Sequence, residues 1–502
     1  MPVTDLHPDL KEIIPLWEKV TDCIDGEETV KAKGTKYLPR LAGQGLDLQG
    51  KSKYDAYLDR ALYYNAPGRT VLGLVGAILR KEPEVVVPDG ISLESVTCEG
   101  ESFAQLCAEV ADEVVSTRTA LLVDAPAGDG LPFIAEYDAA DLINWRTENI
   151  GGREVLTMAV LCEKREAPGE DEFSHATQEV RRVLRLRTDS TVPTYTVQLH
   201  AKVQDGGKDA WIAEEEFTPR ILGGAALGFI PLVVINATSL ELCPERPVLA
   251  DLVNVCLSHY RNSADLEHGR HWTALPTAVA CGFPTSDSNG DPVSLSVGSE
   301  TAWVTDREGA SASYLEFSGS GLGHIAQGMK DKEAMMAVLG ARLLEEPKAA
   351  VESAETIKVR NSAERSVLGR IAVTLGAGLT KALYWWVLWQ RPMTTEEDVS
   401  VTFTTEFVDS EMTAQDIAAI VQAAQAGLMS WSTAFWNLQR GQRIPDERTM
   451  EEEAALIGEG LPTGIAPMPK PQFGGGEHVP VPDQAQPPNA VQDVPPPPPE
   501  GQ

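Results

Sequence analysis

Seven residues, Leu322, Ile325, Met329, Lys332, Met336, Leu339 and Leu343, follow one another at alternating steps of three and four. That period keeps one face of a helix turned toward a long neighbour, which constrains everything packed around it. A neighbour is available upstream. Pro247 stands where helices start; Val248, Leu252, Val255, His259 and Leu266 mark one stripe, and Leu249, Val253, Cys256 and Tyr260 mark the next. This predicts a helix of about 25 residues. Between the two, residues 273–317 switch to period two, with Val293, Leu295 and Val297 alternating and Asn289-Gly290 supplying a hairpin turn. The expectation is a compact β unit carried at the tip of two long helices.

The flanking sequence adds an α+β body. Residues 8–80 read helical, from Leu10, Ile13, Ile14, Trp17 and Val20 to Val71–Leu79 behind an Asn65-Ala-Pro67-Gly68 breaker. An apolar strand covers Ala120–Val123. Residues 155–218 alternate, as in Val183-Leu-Arg-Leu-Arg187 and Tyr195-Thr-Val-Gln-Leu-His200, and predict a meandering antiparallel sheet with a turn at Gly206-Gly207. Residues 346–362 form a charged connector and 363–390 a third long helix. Val399–Phe407 follows as a strand, and short helices are expected at 413–438 behind a Thr413-to-Asp416 capping box. From Pro462 onward the chain holds 13 of its 34 prolines, a composition unable to bury a core, so 462–502 are expected to be a disordered tail.

Lys and Arg number 42 against 74 Asp and Glu, a net charge of −32, which excludes tight binding of nucleic acid through general positive charge. The seven cysteines are scattered without a Cys-x-x-Cys pair, so a disulfide framework and a zinc ribbon are both disfavoured and mostly buried thiols are expected. The N-terminus carries acids before any apolar run, unlike a signal peptide, so a cytoplasmic protein is expected. Of two apolar stretches, 221–235 is short and contains Pro231, and 371–389 has Lys381 at its centre, so both read as core.

Chemistry-bearing motifs are few. Gly45 to Ser52 matches the phosphate-binding G-x-x-x-x-G-K-[ST] pattern, with Lys51 for charge and Ser52 for magnesium, and would imply an ATPase with Asp124 as magnesium partner. That mechanism needs a buried strand before the loop, and Lys36-Tyr-Leu-Pro-Arg-Leu-Ala42 does not supply one. His259, Asp265, His268 and His271 read as a solvated polar helix end rather than a metal site, because the order is not H-E-x-x-H. Gly319-Ser-Gly321-Leu-Gly323 lacks the last glycine of a dinucleotide loop. Lys330, Lys332, Lys348, Lys358 and Arg360 either balance neighbouring acids or face a polyanion.

In its order of elements the chain resembles the portal proteins of tailed bacteriophages. The segments that carry the likeness, over roughly residues 5–457, are Tyr57-Leu-Asp-Arg-Ala61, Gly76 to Pro83, Tyr137 to Arg146, Pro231 to Asn236, Pro247 to Asn254 running into His259 to Asp265, Glu364 to Leu368, and Ala426 to Glu453. The resemblance implies a wing over 1–246, stem helices at 247–272 and 318–345, a β clip at 273–317, a tunnel loop at 346–362, a wing helix and strand at 363–412, and a helical crown at 413–461. Leu322, Ile325, Met329, Met336, Leu339 and Leu343 would pack the stem, and Lys330, Lys332, Lys348, Lys358 and Arg360 would face the channel. Asp287, Asn289, Asp306, Arg307 and Glu308 would lie in the clip that meets the terminase.

The resemblance further implies a ring of about twelve copies at one capsid vertex of the virion, assembled in the host cytoplasm. Such a ring passes double-stranded DNA transiently and without sequence preference, and carries no catalytic site, metal or cofactor. Its partners are the major capsid protein, the terminase large subunit, and head-completion, adaptor and tail proteins, with no membrane. Twelve copies would carry roughly −380 charges, which favours sliding of DNA over binding. Two other readings stay open: a P-loop NTPase acting on nucleic acid, and a scaffold or adaptor that binds through its proline tail.

Overall fold

The computed structural model describes residues 2–125, 131–167, 175–188, 192–205, 208–274, 277–284, 286, 295, 303–315, 319–344, 367–405, 414–426, 428–440, 443–444 and 448–460. The chain divides into two compact units, Met1–Val408 and Asp409–Gln502.

The first unit opens with four helices, α1 (Pro8–Asp25), α2 (Glu27–Ala32), α3 (Leu48–Arg60) and α4 (Ala66–Ile78). Local chemistry sets their ends. Asn65 accepts the Gly68 amide and Pro67 fills the first turn of α4, where a missing N–H costs nothing. After the short strand β1 (Glu84–Val86), α5 (Phe103–Ser116) starts on a reciprocal capping box between Ser102 and Gln105. The chain then runs through β2 (Arg118–Asp124), β3 (Phe133–Asp138), β4 (Leu142–Ile150), β5 (Arg153–Ala167), β6 (Ala176–Arg187), β7 (Thr194–Asp205), β8 (Lys208–Ala213) and β9 (Leu232–Asn236).

These strands make two antiparallel sheets. The expected meander is the five-stranded sheet β4-β5-β6-β7-β8, in which Asp205 lies opposite Lys208 at the last hairpin. The second sheet, β3-β2-β9, is centred on β2, all seven residues of which are buried. A strand covered on both faces reads as a continuous apolar run, which is why Ala120–Val123 was legible.

Two long helices follow, α6 (Ala250–Ala274) and α7 (Leu322–Leu344), with the antiparallel pair β10 (Thr277–Cys281) and β11 (Ser311–Leu315) between them in sequence. The last long helix, α8 (Val367–Gln390), lies in the core against both β2 and β9. By length and composition it could cross a bilayer, yet 67% of its most apolar window is buried in the protein. Its tryptophans satisfy their N–H groups inside: Trp386 donates to the Pro132 carbonyl at 2.7 Å and Trp389 to that of Arg220 at 3.1 Å. Of residues 221–235, which also read as core, 222–226 are an exposed loop and only Leu227 and 230–235 are buried.

Two expectations need correction. The strand placed at Val399–Phe407 is only β12 (Ser400–Thr402), because its partner β1 offers three residues. The cysteines are all free, but only Cys23, Cys107 and Cys256 are buried; Cys162 is half-buried, and Cys98, Cys243 and Cys281 are exposed. The connector at 346–362, Thr413 and the tail from Pro462 onward lie outside the described residues, as does the Asn289-Gly290 turn.

The second unit contains α9 (Ala414–Gln425), α10 (Trp431–Arg440) and α11 (Met450–Gly460). Ser430 caps α10 through the Thr433 amide, and Arg448 pairs with Glu453 at 2.8 Å. Trp431, Trp436 and Leu428 are exposed here.

Candidate functional site

The two long helices pack along one another in antiparallel register. His259 Nε2 lies 3.2 Å from Glu333, the Lys332 ammonium donates to the Ser258 carbonyl at 3.1 Å, and Gly319 sits against Thr273 where the helices converge toward the β tip. At Gly319 φ is +61°, and a Cβ there would come within 3.1 Å of Thr273. This glycine therefore serves a tight crossing and not a dinucleotide. Leu322, Ile325, Met329 and Leu339 are half-buried on α7, and Met336 is 3% exposed. Leu343 falls in the last turn, its side chain outside the described residues.

The helix α6 is clasped by α1, α3 and α4 as well as by α7, whereas among the described residues α7 has an outer face left open. On that face Ala334, Met335, Ala337 and Val338 are exposed, Met335 by 54% and Val338 by 50%. Val304, Tyr314 and Leu315 are likewise exposed at the β tip, and every residue of β11 faces solvent.

The cations expected to meet a polyanion separate. Lys330 is exposed, but Lys332 turns inward, where its bond to Ser258 uses the charge within the hairpin and desolvation lowers its pKa. Lys348, Lys358 and Arg360 lie outside the described residues, as do Asp287 and Asn289. Asp306, Arg307 and Glu308 are exposed in the turn before β11, which closes through the Ala310 amide on the Arg307 carbonyl.

The Gly45–Ser52 motif does not form a phosphate loop. The helix α3 begins at Leu48, so Gly50, Lys51 and Ser52 are already helical, and a 3₁₀ turn at Gly34–Lys36 stands where a strand is required. The backbone of Gly45 folds onto Gly50 so closely that a Cβ there would lie 2.3 Å from the Gly45 nitrogen, leaving no cradle for a phosphate. Asp124 is held by Arg182 at 2.8 Å.

The end of α6 is partly solvated, with Asp265, Arg270 and Trp272 exposed, and its side chains are bonded to α3 and to one another. Tyr57 donates to Asp265 at 2.7 Å, Arg60 lies 3.3 Å from His271, and Trp272 donates to His268 Nε2 at 3.0 Å, so His268 is a neutral acceptor. Desolvation and the nearby Arg60 lower its pKa. Among the described residues no group of three or more His, Cys, Asp or Glu is arranged to hold a metal ion.

Sequence reasoning missed two features. Glu109, Asp112 and Glu113 of α5 meet Glu136 and Asp138 of β3 around a cavity of about 540 Å³. Burial and mutual repulsion push Glu113 up to about 7 and Glu136 to about 8. The second is the fully buried Arg118, whose guanidinium lies between the rings of Trp17 and Trp145 and donates to the Leu242 carbonyl at 2.9 Å. His7 stacks on Trp145 at 3.9 Å. No sequence period joins these residues, which come from four segments.

Comparison with known proteins touches the helical hairpin and the core helix. No curated protein matches the chain. Residues 248–390, from the start of α6 to the end of α8, match a family described as a domain of unknown function, DUF4055.

Proposed function

We propose that this chain is a portal-type subunit that assembles into a ring at a capsid vertex, where it forms a non-enzymatic conduit for double-stranded DNA. The observation that carries this reading is the α6–β tip–α7 hairpin, one of whose helices exposes Ala334, Met335, Ala337 and Val338 with no packing partner among the described residues. Lateral packing of one hairpin against the next would cover them, and closed rotation turns such a head-to-tail contact into a ring. The net charge of −32 supports a wall that repels a duplex and lets it slide. On this reading the β tip, with Asp306, Arg307 and Glu308 in its turn, docks the packaging motor, and Lys330 offers weak, salt-sensitive phosphate contact.

The test is native mass spectrometry with negative-stain microscopy of the full-length protein over a range of concentrations. A ring of about twelve copies with a central hole is expected. A protein that stays monomeric at every concentration, alone and with capsid protein, overturns the reading.

A further inference from the structure

The segment from Leu41 to Leu48 carries leucines that the fold leaves outside: Leu41 is 38% exposed, Leu46 77% and Leu48 89%. Single exposed leucines are ordinary on a protein surface, but Leu46 and Leu48, nearly bare and two positions apart, make a local patch. The loop that holds them is braced from inside. Arg40 lies over the Tyr54 ring at 4.3 Å and donates to the carbonyls of Gln44 and Gly45 at 3.4 and 3.2 Å. The buried Gln44 side chain accepts the Leu41 amide at 2.7 Å, and the backbone of Gly45 lies close against Gly50. A knob fixed in this way gives up little conformational freedom when a partner covers it.

Leu48 also opens α3. At helical spacing its outward stripe continues through Lys51, Ser52 and Asp55, all exposed, while Tyr54 and Tyr57 are buried. The helix α3 packs on α6 and makes no comparable contact with α7. Of the other helices that clasp α6, α4 also touches α7, and α1 exposes charged side chains such as Lys11, Glu12 and Glu18. Among these helices, the apolar surface on offer away from α7 is therefore the one at the start of α3. Each copy thus carries an open apolar helix face, Ala334, Met335, Ala337 and Val338, and apart from it a pair of protruding leucines.

The borders of the two surfaces carry opposite charges. Lys330 and Asp331 stand one turn before Ala334, and Lys51, Lys53 and Asp55 lie exposed along α3. None of these five forms an ion pair among the described residues; Asp331 accepts the Gln327 amide at 2.8 Å. A face-to-face contact can pair the lysines of α3 with Asp331, and Asp55 with Lys330. Exposed pairs of this kind orient an encounter more than they hold it, which leaves the affinity to the leucines.

We infer that Leu46 and Leu48 of one copy seat on α7 of the next, where the short side chains of Ala334 and Ala337 leave room beside Met335 and Val338. The two surfaces are different parts of the molecule, so the contact is heterologous: each copy gives one and receives one, and repetition by a closing rotation makes a ring. The inference rests on the ring reading and adds to it the surface that each subunit offers its neighbour.

The test mixes two full-length variants, Leu46→Cys and Val338→Cys, and bridges them with a short bismaleimide. Mass spectrometry of the digest is expected to find positions 46 and 338 joined between chains, with the exposed Cys98, Cys243 and Cys281 as references for random linkage. A second arm measures the concentration at which rings form. Leu46→Asp/Leu48→Asp, at sites open to solvent, should leave the melting temperature unchanged and raise that concentration about tenfold or more. An assembling mixture without the link between 46 and 338, or a double variant that assembles at the unaltered concentration, overturns the inference and leaves the ring reading standing. A chain that stays monomeric at every concentration, alone and with capsid protein, takes both down.

Discussion

Arg182 on β6 and Asp124 at the end of β2 lie 2.8 Å apart and tie the five-stranded sheet to the three-stranded one. The same guanidinium donates to Glu163 on β5, which also accepts the Tyr137 hydroxyl at 2.6 Å. Asp124 is 3% exposed, so its charge relies on this partner. Replacing Arg182 by Met should cost about 3–5 kcal/mol, because two acids are left uncompensated in the interior. Asp124→Asn should cost less, since Arg182 keeps Glu163. Urea denaturation of the two variants measures the difference, and equal losses would remove the network argument.

Adjacent positions on α7 should part company. Met336→Glu puts a carboxylate at a site 3% exposed, next to Glu333 one turn earlier, and should destabilise the fold by about 3 kcal/mol or more. Met335→Glu lies on the open face and should change monomer stability by less than about 0.5 kcal/mol while lowering assembly. Thermal unfolding reads the first effect and native mass the second. Normal rings from Met335→Glu would take the outer face out of the subunit contact.

The acidic basin sets a pH dependence. Glu113 and Glu136 have folded pKa values of about 7 and about 8, above their ordinary 4.5, so the folded chain holds protons that the unfolded chain has released. Their contribution is fully present below about 4.5 and is lost as pH rises through 7 to 8. Asp25 at the end of α1, with Asp112 and Asp138, adds to the repulsion on Glu113. Glu113→Gln/Glu136→Gln should therefore raise stability at pH 8 by on the order of 1–2 kcal/mol, allowing for the solvent that reaches the pair, and flatten the slope between pH 5 and 8. Melting temperatures across that range check it; an unchanged slope would place the linkage elsewhere.

Lys51→Ala should leave stability and assembly unchanged, and ATP with magnesium should not shift the melting temperature. Nucleotide-dependent stabilisation that is lost in Lys51→Ala would restore the phosphate-loop reading that the helical start at Leu48 argues against.

What the sequence revealed depended on period. The seam from Leu322 to Leu339 and the alternation in β6 and β7 repeat at a spacing fixed by local geometry, so the helix and the sheet were readable without contacts. The Gly45–Ser52 motif shows the reverse: four matching letters at the right spacing carried no information about the fold, because phosphate binding needs a strand that Pro39 and its basic neighbours could not provide. The Trp17–Arg118–Trp145 stack and the Glu113–Glu136 basin were illegible. Their members meet only when α1 and α5 pack on the strands, and nothing local marks Arg118 as buried or Glu136 as crowded. Lys332 was legible as a member of the seam, and the register of the two helices adds its partner, the Ser258 carbonyl.

The hairpin of α6 and α7 is also a mechanical element. Each helix is roughly 35 Å long, and an antiparallel pair locked side by side resists bending far better than either rod alone. Both feet are anchored: Asn254 near the start of α6 accepts from Lys19 of α1, while Gly340 near the end of α7 rests on Thr70 of α4. A push delivered at the β tip therefore loads two struts at once and arrives at α4, close to the core helix α8, as a displacement instead of being dissipated in the tip.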